Sequence, residues 1–233
     1  MAELKAGTSD PQTQSPGTAI FDDFFAGPSP NETVLFADDF NSAPLTDNWT
    51  IGAITITPDP SIPVNETAGQ LQVGPLKQNT AGAHYNGVVS ISTLDLTGAY
   101  AYVQTVAVAD PATGAGTLFT MALDASNHYR IYEANGNLSI EKNIAGTKTQ
   151  LKTIPYDSTN HMFWRIRHDA TANQIVFETA PGASGTPGTW TEQLRVAPEF
   201  AVTALWLELR AGTPTAYAVP PGTPKFDNVR VAK

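Results

Sequence analysis

The chain has 233 residues and a formal net charge of −9, from 22 acidic against 13 basic residues, with 41% hydrophobic and only 15% charged positions. This excess of carboxylates excludes a protein that grips nucleic acid by neutralising phosphates with clustered Lys and Arg. The absence of cysteine excludes a disulfide framework, a thiolate metal site and a cysteine nucleophile.

In chain order, the first 18 residues are rich in Ser, Thr, Pro, Gln and Gly and show neither helical nor strand periodicity, which reads as an arm or linker. The start also lacks an apolar h-region, and no later run approaches the ~18 apolar residues of a membrane span. The expectation is a chain made in the cytoplasm without an N-terminal secretion signal. Ala19–Phe25 (AIFDDFF) is echoed by Leu35–Asn41 (LFADDFN). Either the first segment mimics the second or pairs beside it as a strand, or the two are unrelated strands.

From Val34 onward, eleven short runs rich in Val, Ile, Thr and aromatics are separated by turn signals, among them ITITPDP (54–60), GQLQVGP (69–75), TLFTMALDASN (117–127), FWRIRHDATAN (163–173) and KFDNVRV (225–231). Such spacing predicts an all-β sandwich or barrel. The 18 glycines and 18 prolines fit so turn-rich a chain.

Alternation within strands separates a core face from an outer one. In His128–Tyr132, Tyr129 and Ile131 point inward while His128, Arg130 and Tyr132 share the outer side. In Phe163–Arg167, Trp164 and Ile166 point inward, leaving Phe163, Arg165 and Arg167 outside. In Leu205–Arg210 the leucines form the core face, and Trp206, Glu208 and Arg210 lie opposite. Three strands thus offer an aromatic beside an arginine on the face away from the core.

The succession LFADDFN (35–41), Trp49, AGQLQV (68–73), NHYRIY (127–132), GNLSI (136–140), HMFWRIR (161–167) and FDNVRV (226–231) resembles the concanavalin A-like lectin/glucanase superfamily, its laminin-G-like jelly rolls above all. The resemblance covers residues 34–233. It implies a two-sheet antiparallel jelly-roll sandwich at 34–233, preceded by an extended arm at 1–33. The stretch 163–190, with ETAPG at 178–182 and GTWT at 188–191, is similar to a version found in bacterial surface proteins and tailed-phage virion proteins.

Retaining glucanases of this superfamily carry two glutamates in a Glu-x-Asp-x-x-Glu pattern, because nucleophile and acid must flank one glycosidic bond about 5 Å apart. Glu133, Glu141, Glu178, Glu192, Glu199 and Glu208 show no such spacing. Ser184 in Gly-Ala-Ser-Gly lacks the strand–turn–helix setting of a nucleophile elbow. His84, His128, His161 and His168 form neither HxH nor HExxH. The chain is therefore expected to be non-catalytic.

Sugar sites set aromatic faces against C–H groups and polar groups against hydroxyls. Arg130, Tyr132, Arg165, Arg167, Trp206, Glu208 and Arg210 would supply both if their strands are neighbours; otherwise these rings merely cover the outer sheet beneath arginine stems. Trp49, Trp164 and Trp190 are expected in the core or at packed edges. No cofactor is required, but the jelly rolls resembled here often hold a structural Ca2+ near the first and last strands, which makes Asp38, Asp39 and Asp227 the candidate ligands; the alternative is that Asp38 and Asp39 satisfy turn backbone groups.

An arm of this composition is ordered only when something holds it, since fixing each residue costs about 1–2 kcal/mol. The resulting expectation is a structural or decoration protein of a large homo-oligomeric assembly, a phage virion component with other subunits as partners through the arm, glycan contact through the sandwich, and no nucleic acid or membrane partner. A monomeric carbohydrate-binding module is the alternative and a glycoside hydrolase the third reading.

Overall fold

A computed structural model of the chain describes residues 32–41, 44–183 and 185–233. Val34–Lys233 is one compact unit. The expected arm, the AIFDDFF echo within it and Ser184 lie outside the described residues, apart from Glu32 and Thr33.

The strands begin with β1 (Val34–Asp38), β2 (Trp49–Ile51), β3 (Val64–Glu66), β4 (Leu71–Val73), β5 (His84–Ser90) and β6 (Tyr100–Ala107). The middle of the chain holds β7 (Gly116–Asp124), β8 (Asn127–Ala134), β9 (Asn137–Ile144), β10 (Thr147–Pro155), β11 (Phe163–Asp169) and β12 (Gln174–Ala180). A small hairpin, β13 (Gly182–Ala183) with β14 (Thr186–Pro187), precedes β15 (Thr191–Val196), β16 (Trp206–Thr213) and β17 (Lys225–Ala232). Among the described residues the helical content is a single 3-10 turn at Leu45–Asp47.

Two antiparallel sheets result. One has the order β10-β9-β8-β7-β16-β5-β2, the other β15-β12-β11-β6-β17-β4-β3 with β1 also on β17. The run β7 to β10 is a meander closed by short turns. Asn135 and Gly136 have φ of +55° and +70°, and Ala145 and Gly146 +48° and +83°. These left-handed pairs are the primed turns whose twist matches two-residue hairpins. By contrast, β16 enters between β7 and β5, and β17 between β6 and β4, so strands distant in sequence sit at both sheet centres.

Between the sheets lies the predicted core. Leu205, Leu207 and Leu209 are buried, as are Tyr129 and Ile131 of β8 and Trp164 and Ile166 of β11. They pack with Phe119, Met121, Phe177, Phe226 and Val231. Each such side chain contributes roughly 1.5–3 kcal/mol by leaving water.

The structure differs from the sequence expectations at three places. The ITITPDP run is not a strand: residues 52–63 form a loop. Its amides at Ile54 and Thr55 bond a glutamate side chain, and Pro58, Pro60 and Pro63 have no N–H to give to a ladder. Of the strands outside the expected runs, β2, β3 and β14 are only two or three residues long, and β10 and β15 come from TKTQLKTIP and TEQLRV, where polar residues dilute the apolar signal. Finally, the three arginine-bearing strands do not share one sheet. β8 and β16 belong to the seven-stranded sheet, whereas β11 belongs to the other.

Candidate functional site

That division splits the predicted sugar-binding set. Arg165 and Arg167 are on the outer face of the eight-stranded sheet, where both donate through Nε to Glu178 Oε2, at 2.6 and 3.1 Å. Trp190 lies on the Arg165 guanidinium, 4.0 Å from ring centroid to Cζ, and joins Tyr102 in covering Phe163. Phe163 is thus outward by alternation yet fully buried. Trp190 proves a surface-packing residue of this face, while Trp49 and Trp164 are in the core.

Trp206, Glu208 and Arg210 share the outer face of the seven-stranded sheet with Arg130 and Tyr132. Register places Glu208 opposite Thr120 and Thr120 opposite Arg130, which in turn faces Glu141. One row across four strands therefore reads acid, hydroxyl, base, acid. Arg130 Nη2 lies 2.5 Å from Glu141 Oε1.

The 52–63 loop crosses this face. Its ends are pinned to β5 by Gly52 N to Gly87 O (2.8 Å) and Asp59 N to Tyr85 O (2.7 Å). Its middle donates to Glu208: Ile54 N and Thr55 N reach Oε2 at 2.9 and 3.0 Å, and Thr55 Oγ1 reaches Oε1 at 2.8 Å. Arg210 Nη1 stands 2.9 Å from the same Oε1 and also donates to the Thr55 hydroxyl. Glu208 is thereby completely buried with its oxygens engaged. It is a clamp for the loop and a counter-ion for Arg210, in contrast to its expected place among the sugar contacts.

Beside the clamp opens a hollow of about 220 Å3 with Arg130, Arg210 and Lys148 on its wall and Tyr85 and Tyr132 as its rings. The guanidinium of Arg130 lies 5.2 Å from the Tyr132 ring centroid, and that of Arg210 lies 5.2 Å from Tyr85. The Tyr85 ring needs a glycine beneath it: a Cβ at Gly212 would come within 2.5 Å of it and 2.2 Å of His84 O. Trp206 is about 13 Å further along β16, four residues at strand rise, beside an apolar hollow of about 390 Å3 that includes Ile54 and Val89.

Several polar atoms of this face are buried and without hydrogen-bond partners: Thr120 Oγ1, both ring nitrogens of His128, Arg130 Nε, Asn143 Oδ1 and Arg210 Nε. Burial, then the neighbouring Arg130, Arg210 and Lys148 charges, hold the His128 imidazole down to about 3, so it is neutral at physiological pH. Burial likewise lowers the Arg210 guanidinium and raises the Tyr85 phenol, which the two arginines partly oppose. Each orphaned buried group costs about 1–3 kcal/mol, and such groups ordinarily meet water or ligand.

Sequence alternation located Arg130, Tyr132 and Arg210 here. It missed Tyr85, Lys148, Thr120 and Asn143, whose strands carry no repeated aromatic–arginine pair, and Thr55, whose run resembles a strand.

The candidate calcium ligands lie on the eight-stranded sheet, where β1 meets β17. Asp38 accepts from Phe40 N (2.8 Å), Asn48 Nδ2 (3.0 Å) and Trp49 Nε1 (2.8 Å), and Asp39 accepts from Asn41 N. Burial, then Asp39 and Asp38, raise the Asp227 carboxyl. Among the described residues no three His, Cys, Asp or Glu gather as a metal-binding group. Asp38 instead anchors Trp49, which packs on Phe36 and Phe40 at 5.1 and 6.0 Å. Asp38→Ala, which strands the indole N–H, is expected to cost about 2–3 kcal/mol in urea unfolding; a loss under 0.5 kcal/mol would contradict this anchoring role.

No family model and no curated protein matches the chain. Solved structures do. The CBM2 module of the evolved Dit of Lactobacillus casei BL23 phage J-1 superposes with a TM-score of 0.58 at 10% identity, covering 86% of this chain and 95% of that one. A β-1,3-glucanase from Mycobacterium marinum gives 0.56 at 16% identity, covering 89% and 100%. The Ca2+-bound exoplasmic/lumenal domain of VIP36 gives 0.55 at 10% identity, covering 83% and 87%. The chain has the concanavalin A-like fold. In this concanavalin A-like sandwich, the outer face of the seven-stranded sheet combines aromatic rings with unpartnered buried polar groups, which among the described residues the eight-stranded face does not do.

Proposed function

We propose that the chain is a non-catalytic carbohydrate-binding jelly roll that binds an oligosaccharide on the outer face of its seven-stranded sheet. The observation that carries this reading is the hollow on this face in which the rings of Tyr85 and Tyr132 stand beside the side chains of Arg130, Arg210 and Lys148. Sugar hydroxyls both donate and accept, so they can meet the Arg130, Arg210 and Lys148 donors that line the hollow. Tyr85, Tyr132 and Trp206 offer ring faces for its C–H groups. The arrangement of the carboxylates on this face supports the non-catalytic reading: Glu208 is locked by three donors and Arg210, and Glu141 is three strands away, about 14 Å between backbones. Hydrolysis needs two carboxyl groups within about 5–9.5 Å.

We further propose that the chain serves in a larger assembly, a phage virion, where the sandwich presents the groove to surface glycans. The likeness to a phage Dit module supports this. A Ca2+ ion at the β1–β17 corner is a separate proposal, tested by whether Ca2+ raises the melting temperature and EGTA reverses it.

A glycan array read with wild type, Tyr132→Ala and Trp206→Ala tests the binding. Tyr132→Ala is expected to lose at least tenfold in affinity, with unchanged melting temperature and no release of reducing ends from any bound polysaccharide. Equal binding by both variants would sink the assignment to this face.

A further inference from the structure

The charges around the hollow beside the clamp are all of one sign. Arg130, Lys148 and Arg210 contribute to its wall and no Asp or Glu does, although acidic residues outnumber basic ones by 22 to 13 in the chain. The carboxylates paired with the two arginines, Glu208 with Arg210 and Glu141 with Arg130, do not line it, which leaves Lys148 as the uncompensated charge. Glu208 is buried under Ile54 and Thr55, which occupy its oxygens, and Glu141 is turned to Arg130.

Two further observations point to a missing anion. Arg130 and Arg210 are 8% and 3% exposed, and each retains an Nε donor without a partner. Lys148 is exposed at the rim, and among the described residues no carboxylate is within ion-pair distance of it. The other two hairpin lysines are engaged, Lys142 with Glu199 and Lys152 with Gln193. The displaced titration of His128 reports the same field, since three cations help to keep its ring neutral.

We infer that the saccharide bound here is acidic, with a carboxylate or sulfate group seated among Arg130, Arg210 and Lys148 and its ring between Tyr85 and Tyr132. The inference rests on the carbohydrate-binding reading and narrows it to one chemical class. Charge-assisted hydrogen bonds to a planar guanidinium are about twice as strong as neutral ones, so the anionic group supplies most of the discrimination against a neutral analogue.

The test uses the full chain on an array of matched oligosaccharides: oligogalacturonate and its methyl ester, hyaluronan hexasaccharide, chondroitin sulfate hexasaccharide and its desulfated form, and laminarihexaose and cellohexaose as neutral members. Binding is expected for acidic members only, with at least a fivefold weakening between 50 and 500 mM NaCl. Esterification abolishing the signal assigns a carboxylate, and desulfation abolishing it assigns a sulfate. Lys148→Met, at an exposed position that leaves the fold intact, is expected to weaken binding at least fivefold, and Arg130→Gln at least as much. Neutral members binding as well as acidic ones, with Lys148→Met unchanged, would overturn the inference while leaving carbohydrate binding standing. No binding by any member would remove both.

Discussion

Replacing Glu208 with alanine is expected to lower the unfolding free energy by about 3–5 kcal/mol, the cost of leaving a buried charge without its counter-ion. The affected charge is Arg210, which is 3% exposed and has Glu208 as its ion-pair partner among the described residues. The same substitution strips the acceptor from Ile54 N, Thr55 N and the Thr55 hydroxyl, so the 52–63 loop remains held only at its ends on β5. Urea unfolding measures the loss, and limited proteolysis between residues 53 and 57 should become faster in the native state. Adding Arg210→Met to Glu208→Ala should recover part of the stability without restoring the loop, since it removes the uncompensated charge but supplies no acceptor. A loss below 1 kcal/mol for the single variant would show that water reaches Arg210 and that the clamp is weak.

The second large effect depends on pH. Glu133 points to the core side of β8 at the end of the sandwich and is completely buried. Its Oε1 accepts from Gly136 N at 2.9 Å, and its Oε2 has no partner. Burial first, then the charge of Asp110, push its carboxyl up to about 7 from 4.5, against the opposing bond from Gly136. Tyr156, whose phenol burial raises to about 12, is the other titratable group that feels this carboxylate. Because the folded-state value lies above the unfolded one, this group's contribution is intact below pH 4.5 and is lost as pH rises through 7. At about 1.4 kcal/mol per pH unit, the ionised carboxylate costs about 3 kcal/mol above pH 8. Glu133→Gln keeps the shape and the Gly136 bond while removing the charge. It should match wild type at pH 4.5 and exceed it by roughly 2–3 kcal/mol at pH 8.5. Parallel stability curves for the two proteins from pH 4.5 to 8.5 would contradict the buried, unpaired placement of this side chain.

How far the sequence reached depended on the range of the signal. Strand alternation is local, so the inward Leu205, Leu207 and Leu209 and the outward Arg130 and Tyr132 were legible from neighbours two residues away. The assignment of β11 to the other sheet was not, because nothing in FWRIRHD says which sheet pairs with it. That single ambiguity merged two arginine faces into one. The 52–63 loop misled for a related reason: ITIT has the composition of a strand, and what decides otherwise is a glutamate about 150 positions later. Tyr85 and Lys148 join the groove only through register across β5, β16 and the β9–β10 hairpin, which no short window contains.

The order of the strands also dictates when the groove comes into being. Residues 116–155 deliver Arg130, Tyr132, Glu141 and Lys148 in one contiguous meander, while Tyr85 has already been made and waits on β5 with no strand between it and β7. Until Trp206–Thr213 leaves the ribosome and inserts there, the face lacks Arg210, and the loop at Thr55 has no carboxylate to hold. The groove is therefore a late product of synthesis, and a chain cut short before residue 206 carries half of it.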